Sequence, residues 1–269
     1  MKKMVKFGLA ALMGASMLVG CSSSKPAAEE TASKTDAEQV VENGKLVVGV
    51  TDFAPMDYKD ENGNWIGFDA DLATAFAKDL GIDVEIIEID WDNKILELNN
   101  KSVDCIWNGM TLTDEVKSSM ECSNAYCNNA QVVIVNKDVA DKYKDTESLK
   151  DLTFAVEAGS AGEEQAIAYE LNYTAVQNQA NALMEVAAGT SDAAIIDSLM
   201  AAAMVGEGTG YEQLTYTVGL NAEEYGVGFR KGSDLAAKLN DFFKKCYEDG
   251  TLKEIAEKYG VQASLIEMK

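Results

Sequence analysis

Residues 45–89 constrain the fold more than any other stretch of the chain. Residues 45–51 form an apolar, β-rich run, and a polar turn follows around Gly63. Leu72, Phe76 and Leu80 then recur at four-residue spacing, which predicts a helix over 69–80 with Asp69 as its N-cap and Gly81 as its stop. Val84, Ile86 and Ile87 stand among acids in 83–89, a second strand. Strand, helix and strand in that order form a βαβ unit, so a parallel sheet with right-handed crossovers is expected.

The rhythm continues with helices near 92–100 and from Thr113, and strands over 103–107 and 131–135. A second series runs strand 153–156, helix from Ser160, strand 173–176, helix 180–188, strand 193–196 and helix from Asp197. Strands return at 214–218 and 225–229, and two amphipathic helices close the chain. An α/β protein with two α/β blocks is predicted.

Composition narrows the function. Asp and Glu number 45 against 23 Lys and Arg, a net charge of -22, so a nucleic-acid backbone is repelled over most of the surface. The chain has no histidine, which removes the commonest general base and zinc ligand, and with them Ser-His-Asp and Cys-His catalysis. No CxxC or Cys/His spacing suggests a metal. Cys105, Cys122, Cys127 and Cys246 are compatible with disulfides in an exported protein and equally with buried thiols.

At the N-terminus, Lys2, Lys3 and Lys6 precede an apolar run over 7–20, the pattern of an export signal and too short for a comfortable transmembrane helix. The run ends Leu18-Val19-Gly20-Cys21, which resembles the lipobox of a bacterial lipoprotein. That resemblance implies a signal peptide over 1–20 and a lipid on Cys21 that anchors the chain to the membrane. Residues 21–44 are rich in Ser, Ala, Thr, Glu and Lys and offer little to bury, so a disordered tether is expected.

Gly67-Phe68-Asp69, the run from Asp104 to Glu115, Ser123-Asn124-Ala125-Tyr126, Ala158-Gly159-Ser160 and Asp249-Gly250-Thr251-Leu252 resemble, in order and spacing, the amino-acid-type solute-binding proteins of ABC importers. The resemblance implies a periplasmic-binding-protein-like fold: two α/β lobes joined by two hinge strands, with ligand closed between them. It places the larger lobe at 45–136 plus 221–269 and the smaller at 137–220, with a hinge near Asn136 and Leu220. It also implies a small-molecule ligand, a permease partner, no cofactor and no catalysis.

Site residues follow one at a time. Phe53 matches an aromatic that stacks on ligand, and Trp91 stands where family members often place a pocket side chain. Asn108, Gly109, Met110 and Thr111 match the segment that meets the ligand's ammonium and carboxylate. Ser160 and Ala161 open a helix whose free N–H groups suit a carboxylate. Asp197 matches the acid that pairs with the α-ammonium. Simple capping is the competing role for Ser160 and Asp197, and core packing for Phe53 and Trp91.

One departure stands out. The family pattern Thr-x-Glu-Arg reads Thr113-Asp114-Glu115-Val116 here, and Arg230 is the sole arginine of the chain. Ala161 also replaces a common Ser or Thr. The ammonium half of the site is retained and the carboxylate half depleted, which admits a cationic amine or another ligand without a standard α-carboxylate beside the default amino acid. The same fold resembles cyclohexadienyl dehydratases, an enzymatic alternative disfavoured by the absent arginine and histidine. A receptor's sensor domain would be expected to continue into a membrane span past Lys269.

Overall fold

The computed structural model describes residues 34–268; the expected signal peptide, Cys21 and most of the expected tether lie outside them. The first described element is a helix where the tether was expected, α1 (Asp36–Asn43). Thr35 and Glu38 cap it reciprocally, Ala37 and Val40 are buried, and Gly44 ends it in the left-handed region at φ 75°. Two buried small apolar side chains suffice because the helix is also held by charge: Arg230 pairs with Asp36 at 3.0 Å and with Asp104 at 3.2 Å.

The first lobe continues with β1 (Lys45–Val50), the short hairpin β2 (Tyr58–Lys59) and β3 (Trp65–Ile66), α2 (Phe68–Asp79) and β4 (Asp83–Glu88). A 3-10 turn, Trp91–Asn93, leads into α3 (Lys94–Asn99), then β5 (Cys105–Thr111), α4 (Asp114–Ser119), β6 (Glu121–Cys122) and β7 (Cys127–Asn129). The second lobe contains β8 (Gln131–Asn136), β9 (Thr153–Glu157), α5 (Ala161–Ala168), β10 (Asn172–Val176), α6 (Gln179–Ala188), β11 (Ala193–Asp197), α7 (Ser198–Met204) and β12 (Leu214–Gly219). The chain returns through β13 (Glu223–Phe229) to α8 (Leu235–Asp249) and α9 (Thr251–Tyr259).

The expected βαβ unit is present: β1 pairs in parallel with β4 and with β5. The first sheet runs β4-β1-β5-β13-β6, with β7 also on β13, and β13 antiparallel throughout. The second runs β10-β9-β11-β8-β12. Both lobes are thus α/β as the sequence predicts, but their sheets are mixed rather than parallel, because β8 and β13 pair antiparallel with their neighbours.

The crossing point differs from the expectation. β8 pairs antiparallel with both β11 and β12, so it belongs to the second sheet, and the chain crosses at Ala130 rather than near Asn136. Val132 to Val135 are buried on both faces, so this apolar run carries no mark of which sheet it joins; the register with β11 decides it. The second crossing lies between Gly219 and Glu223.

In the first lobe Leu72 and Phe76 bury against the sheet, and Trp107 meets Phe243 edge-on at 5.6 Å. Asp69 is not the cap of α2: Gly67 precedes the helix at φ 137°, where a Cβ would lie 2.1 Å from the Met56 carbonyl oxygen. Asp69 instead sits buried in the first turn. Cys105, Cys122, Cys127 and Cys246 are free thiols, all but Cys122 buried.

Candidate functional site

The parallel strands of both lobes end at one cleft, the position at which open α/β sheets take ligands. Phe53 follows β1, Trp91 follows β4, and Asn108 to Thr111 end β5; Ser160 and Ala161 follow β9, and Asp197 ends β11. All nine sequence-predicted residues line this cleft, five segments being needed to bring them together.

Their side chains do different things. Asn108 is buried; its oxygen accepts from the Thr51 backbone N–H and hydroxyl, both at 2.9 Å, and its amide donates to Asp57 at 2.8 Å. It therefore ties β1 to β5. Gly109 adopts φ 53°, and a Cβ there would lie 2.6 Å from the Phe53 ring, so the strand end passes the aromatic only as glycine. Its N–H donates to Asp69 at 2.6 Å, and the Tyr126 hydroxyl donates to the same oxygen at 2.7 Å. Burial pushes the Asp69 carboxyl up to about 7.

Met110 is buried in a cluster with Val116 and Met120, and the Thr111 hydroxyl donates to Glu223 at 2.9 Å. Ser160 caps α5, its hydroxyl accepting from the Glu163 N–H at 3.1 Å. Asp197 is 4% exposed. One of its oxygens accepts from Asn129, from Gln131 at 3.0 Å and from the Tyr225 hydroxyl at 2.8 Å; the other accepts from Gln179. Asn129 and Gln131 also donate to Glu223, at 2.6 and 2.8 Å. Two carboxyl groups thus face each other where the chain crosses between lobes, and burial followed by the Glu223 charge raises the Asp197 pKa.

Sequence reasoning missed Lys94, Glu157, Glu164 and Gln179, which also line the cleft. Lys94 is buried; its ammonium donates to the Gly159 carbonyl at 2.7 Å and lies 5.1 Å from the Trp91 ring centroid. Desolvation lowers its pKa, against the opposing pull of Glu115, Glu157, Asp92 and Glu164. Glu157 ends β9 at 2% exposure, and burial pushes its carboxyl up to about 8, partly offset by Thr51, Lys94 and Gln179. A charged residue closing an otherwise apolar strand was the available signal for Glu157. No local pattern distinguishes Lys94 from an ordinary exposed helix lysine.

Arg230 takes no part in the cleft, being held by Asp36, Asp104 and the Val103 carbonyl. The cleft cation nearest in kind to the missing arginine is Lys94. Against it stand Glu115, Glu157, Glu164 and Asp197, so the lining is acidic.

Residues 46–262 match the family of bacterial extracellular solute-binding proteins, family 3. The chain is 32% identical over 225 residues to the arginine-binding extracellular protein ArtP of Bacillus subtilis (strain 168), spanning 80% of this chain and 86% of that protein. Among solved structures, an ancestral amino acid-binding protein, AncCDT-1, a precursor of cyclohexadienyl dehydratase, is similar at TM-score 0.76 and 34% identity, covering 83% of this chain and 98% of that one. A substrate-binding protein of an ABC uptake transporter from Streptococcus pneumoniae with bound histidine is similar at TM-score 0.74 and 32% identity, over 82% and 94% of the two chains. With a family match across nearly all of both lobes and a shared two-lobe architecture, the chain belongs to the bacterial extracellular solute-binding proteins, family 3.

Proposed function

We propose that this protein captures a small amine-bearing solute, an amino acid or a cationic amine, by closing its two lobes at the crossings near Ala130 and Leu220. It then delivers the solute to the permease of an ABC importer. The observation that carries this reading is the convergence of residues from both lobes on one acidic cleft, with Asp197 at the crossing. The ammonium is assigned to Asp197, where desolvation strengthens a charge-assisted bond, and Phe53 and Trp91 supply aromatic walls. Relatives described as binding arginine and histidine support an amine ligand.

Cys21 is assigned as the lipidated residue that keeps the protein at the outer side of the cell membrane, within reach of its permease. Cys21→Ala should move the protein from the membrane fraction to the soluble fraction, since the anchor supplies membrane affinity that a cleaved signal lacks. Unchanged retention refutes the anchor.

Binding rather than turnover is favoured because the dehydratase-related neighbour is itself described as an amino acid-binding protein. Calorimetry with a panel of amino acids and amines tests the reading, with incubation on prephenate or arogenate, followed by absorbance, as the enzymatic control. Saturable binding without turnover is the expected result. Turnover, or no binding across the panel, refutes it.

A further inference from the structure

Two carboxyl groups of the smaller lobe close this cleft from adjacent strands, and they differ in how far the protein satisfies them. Asp197 accepts from Asn129, Gln131, Tyr225 and Gln179, so both its oxygens have protein donors. Glu157 lines the same cleft, 2% exposed, and its Oε1 has no hydrogen-bond partner. A buried carboxyl oxygen without a partner is costly to the folded protein, and in the wall of a ligand cleft a bound ligand can supply the missing donor. Lys94, the cleft's cation, does not fill that role: its ammonium is directed to the Gly159 and Trp91 carbonyls.

Charge points the same way. Glu115 and Glu164 oppose Lys94 within the cleft, and the groove that opens beside it carries Asp114, Glu115, Glu164, Glu223 and Glu224 against Lys117. A zwitterion leaves this excess of negative charge uncompensated, whereas a ligand with a second positive centre reduces it and is drawn in by the field of the mouth.

Resting on the amine-binding reading above, we propose that Glu157 is a second cation-binding carboxylate of the cleft, distinct from Asp197, and that it selects ligands bearing two cationic nitrogens. The class comprises basic amino acids and diamines or guanidinoamines. The chemistry they share is a pair of cationic N–H donors joined by an apolar linker that passes Phe53 and Trp91; they differ in whether an α-carboxylate is present for Lys94.

Isothermal titration of the full-length folded chain tests this with matched probes: arginine against citrulline, which keeps the shape and loses the cation, and agmatine and cadaverine as carboxylate-free arms. Arginine or agmatine should bind at least about thirtyfold more tightly than citrulline, the loss typical of removing one partner of a desolvated charged pair. Glu157→Gln should reduce that ratio to within about threefold. Preference for arginine over agmatine identifies a basic amino acid; the reverse identifies a diamine. Equal binding of arginine and citrulline overturns the proposal with no variant required, so it stands or falls even if Glu157→Gln does not fold. A ratio preserved in a folded Glu157→Gln also overturns it. If neutral amino acids bind and dications do not, the amine-binding role survives and the role of Glu157 is wrong; if nothing binds, both fail.

Discussion

The ammonium of Lys94, at the start of α3 in the larger lobe, donates to the Gly159 carbonyl of the smaller lobe at 2.7 Å. Close by, Gln177 donates to Asp90 at 3.3 Å, and Tyr225 reaches across to Asp197 at 2.8 Å. These three contacts join residues of the larger lobe to residues of the smaller. Such a set is lost together when the lobes separate, which is how a hinge gives two discrete states.

Gly159→Ala should hinder closure. Gly159 has φ 68°, and a Cβ there would lie 2.8 Å from the backbone Cα of Asp92 across the cleft. Neither strain nor clash is relieved by a side-chain rotation. Small-angle scattering at saturating ligand should show the parent compacting and the variant compacting less, with affinity reduced roughly tenfold or more. Equal compaction and affinity would exclude this contact from the closed state.

Asp197→Ala should weaken binding of the confirmed ligand by about thirtyfold or more, the cost typical of removing one partner of a desolvated pair. Val116→Ala, in the buried cluster with Met110 and Met120, should change it much less. The same Asp197 substitution takes an acceptor from Asn129, Gln131, Gln179 and Tyr225, so melting should also occur at lower temperature. Calorimetry showing undiminished affinity would contradict the pocket assignment.

Stability in the absence of ligand should fall as pH rises. Asp69 and Glu157 hold their protons to about pH 7 and 8 in the folded chain, against ordinary values of 3.8 and 4.5, and burial raises Asp57 and Asp197 in the same direction. Between the unfolded and folded pKa values the folded state binds more protons, so the contribution is complete below about pH 4 and is lost through pH 7 to 8. Melting temperature should therefore decline from pH 5 to 8.5, and Glu157→Gln should flatten the upper part of that slope. A melting temperature that climbs over this range would count against buried protonated acids.

Arg230→Gln should cost roughly 3 kcal/mol of stability, because Asp36 and Asp104 lose a largely buried partner. The helix α1 should loosen first, seen as faster amide exchange over 36–43 than over β1. Exchange that stays unchanged in α1 would show that its docking does not depend on Arg230.

Local pattern determined a large part of this protein. Leu72 and Phe76 mark α2, acids interleaved with Val84 and Ile86 mark β4, and motif segments ending strands carried Phe53, Asn108, Ser160 and Asp197 to the cleft. These are legible because helix and strand periodicity and turn chemistry act over a few residues. Tertiary structure decided the rest. The sheet joined by Val132 to Val135 depends on pairing with β11, some sixty residues on. Residues 36–43, capped locally by Thr35 and Glu38, are docked on the lobe through Arg230, nearly two hundred residues later, which pairs with Asp36. Lys94 reads as a surface lysine and Glu157 as a strand end until the fold buries both in the same cleft. Burial and partnership belong to the folded chain, because desolvation and hydrogen bonding depend on groups that only long-range contacts bring together.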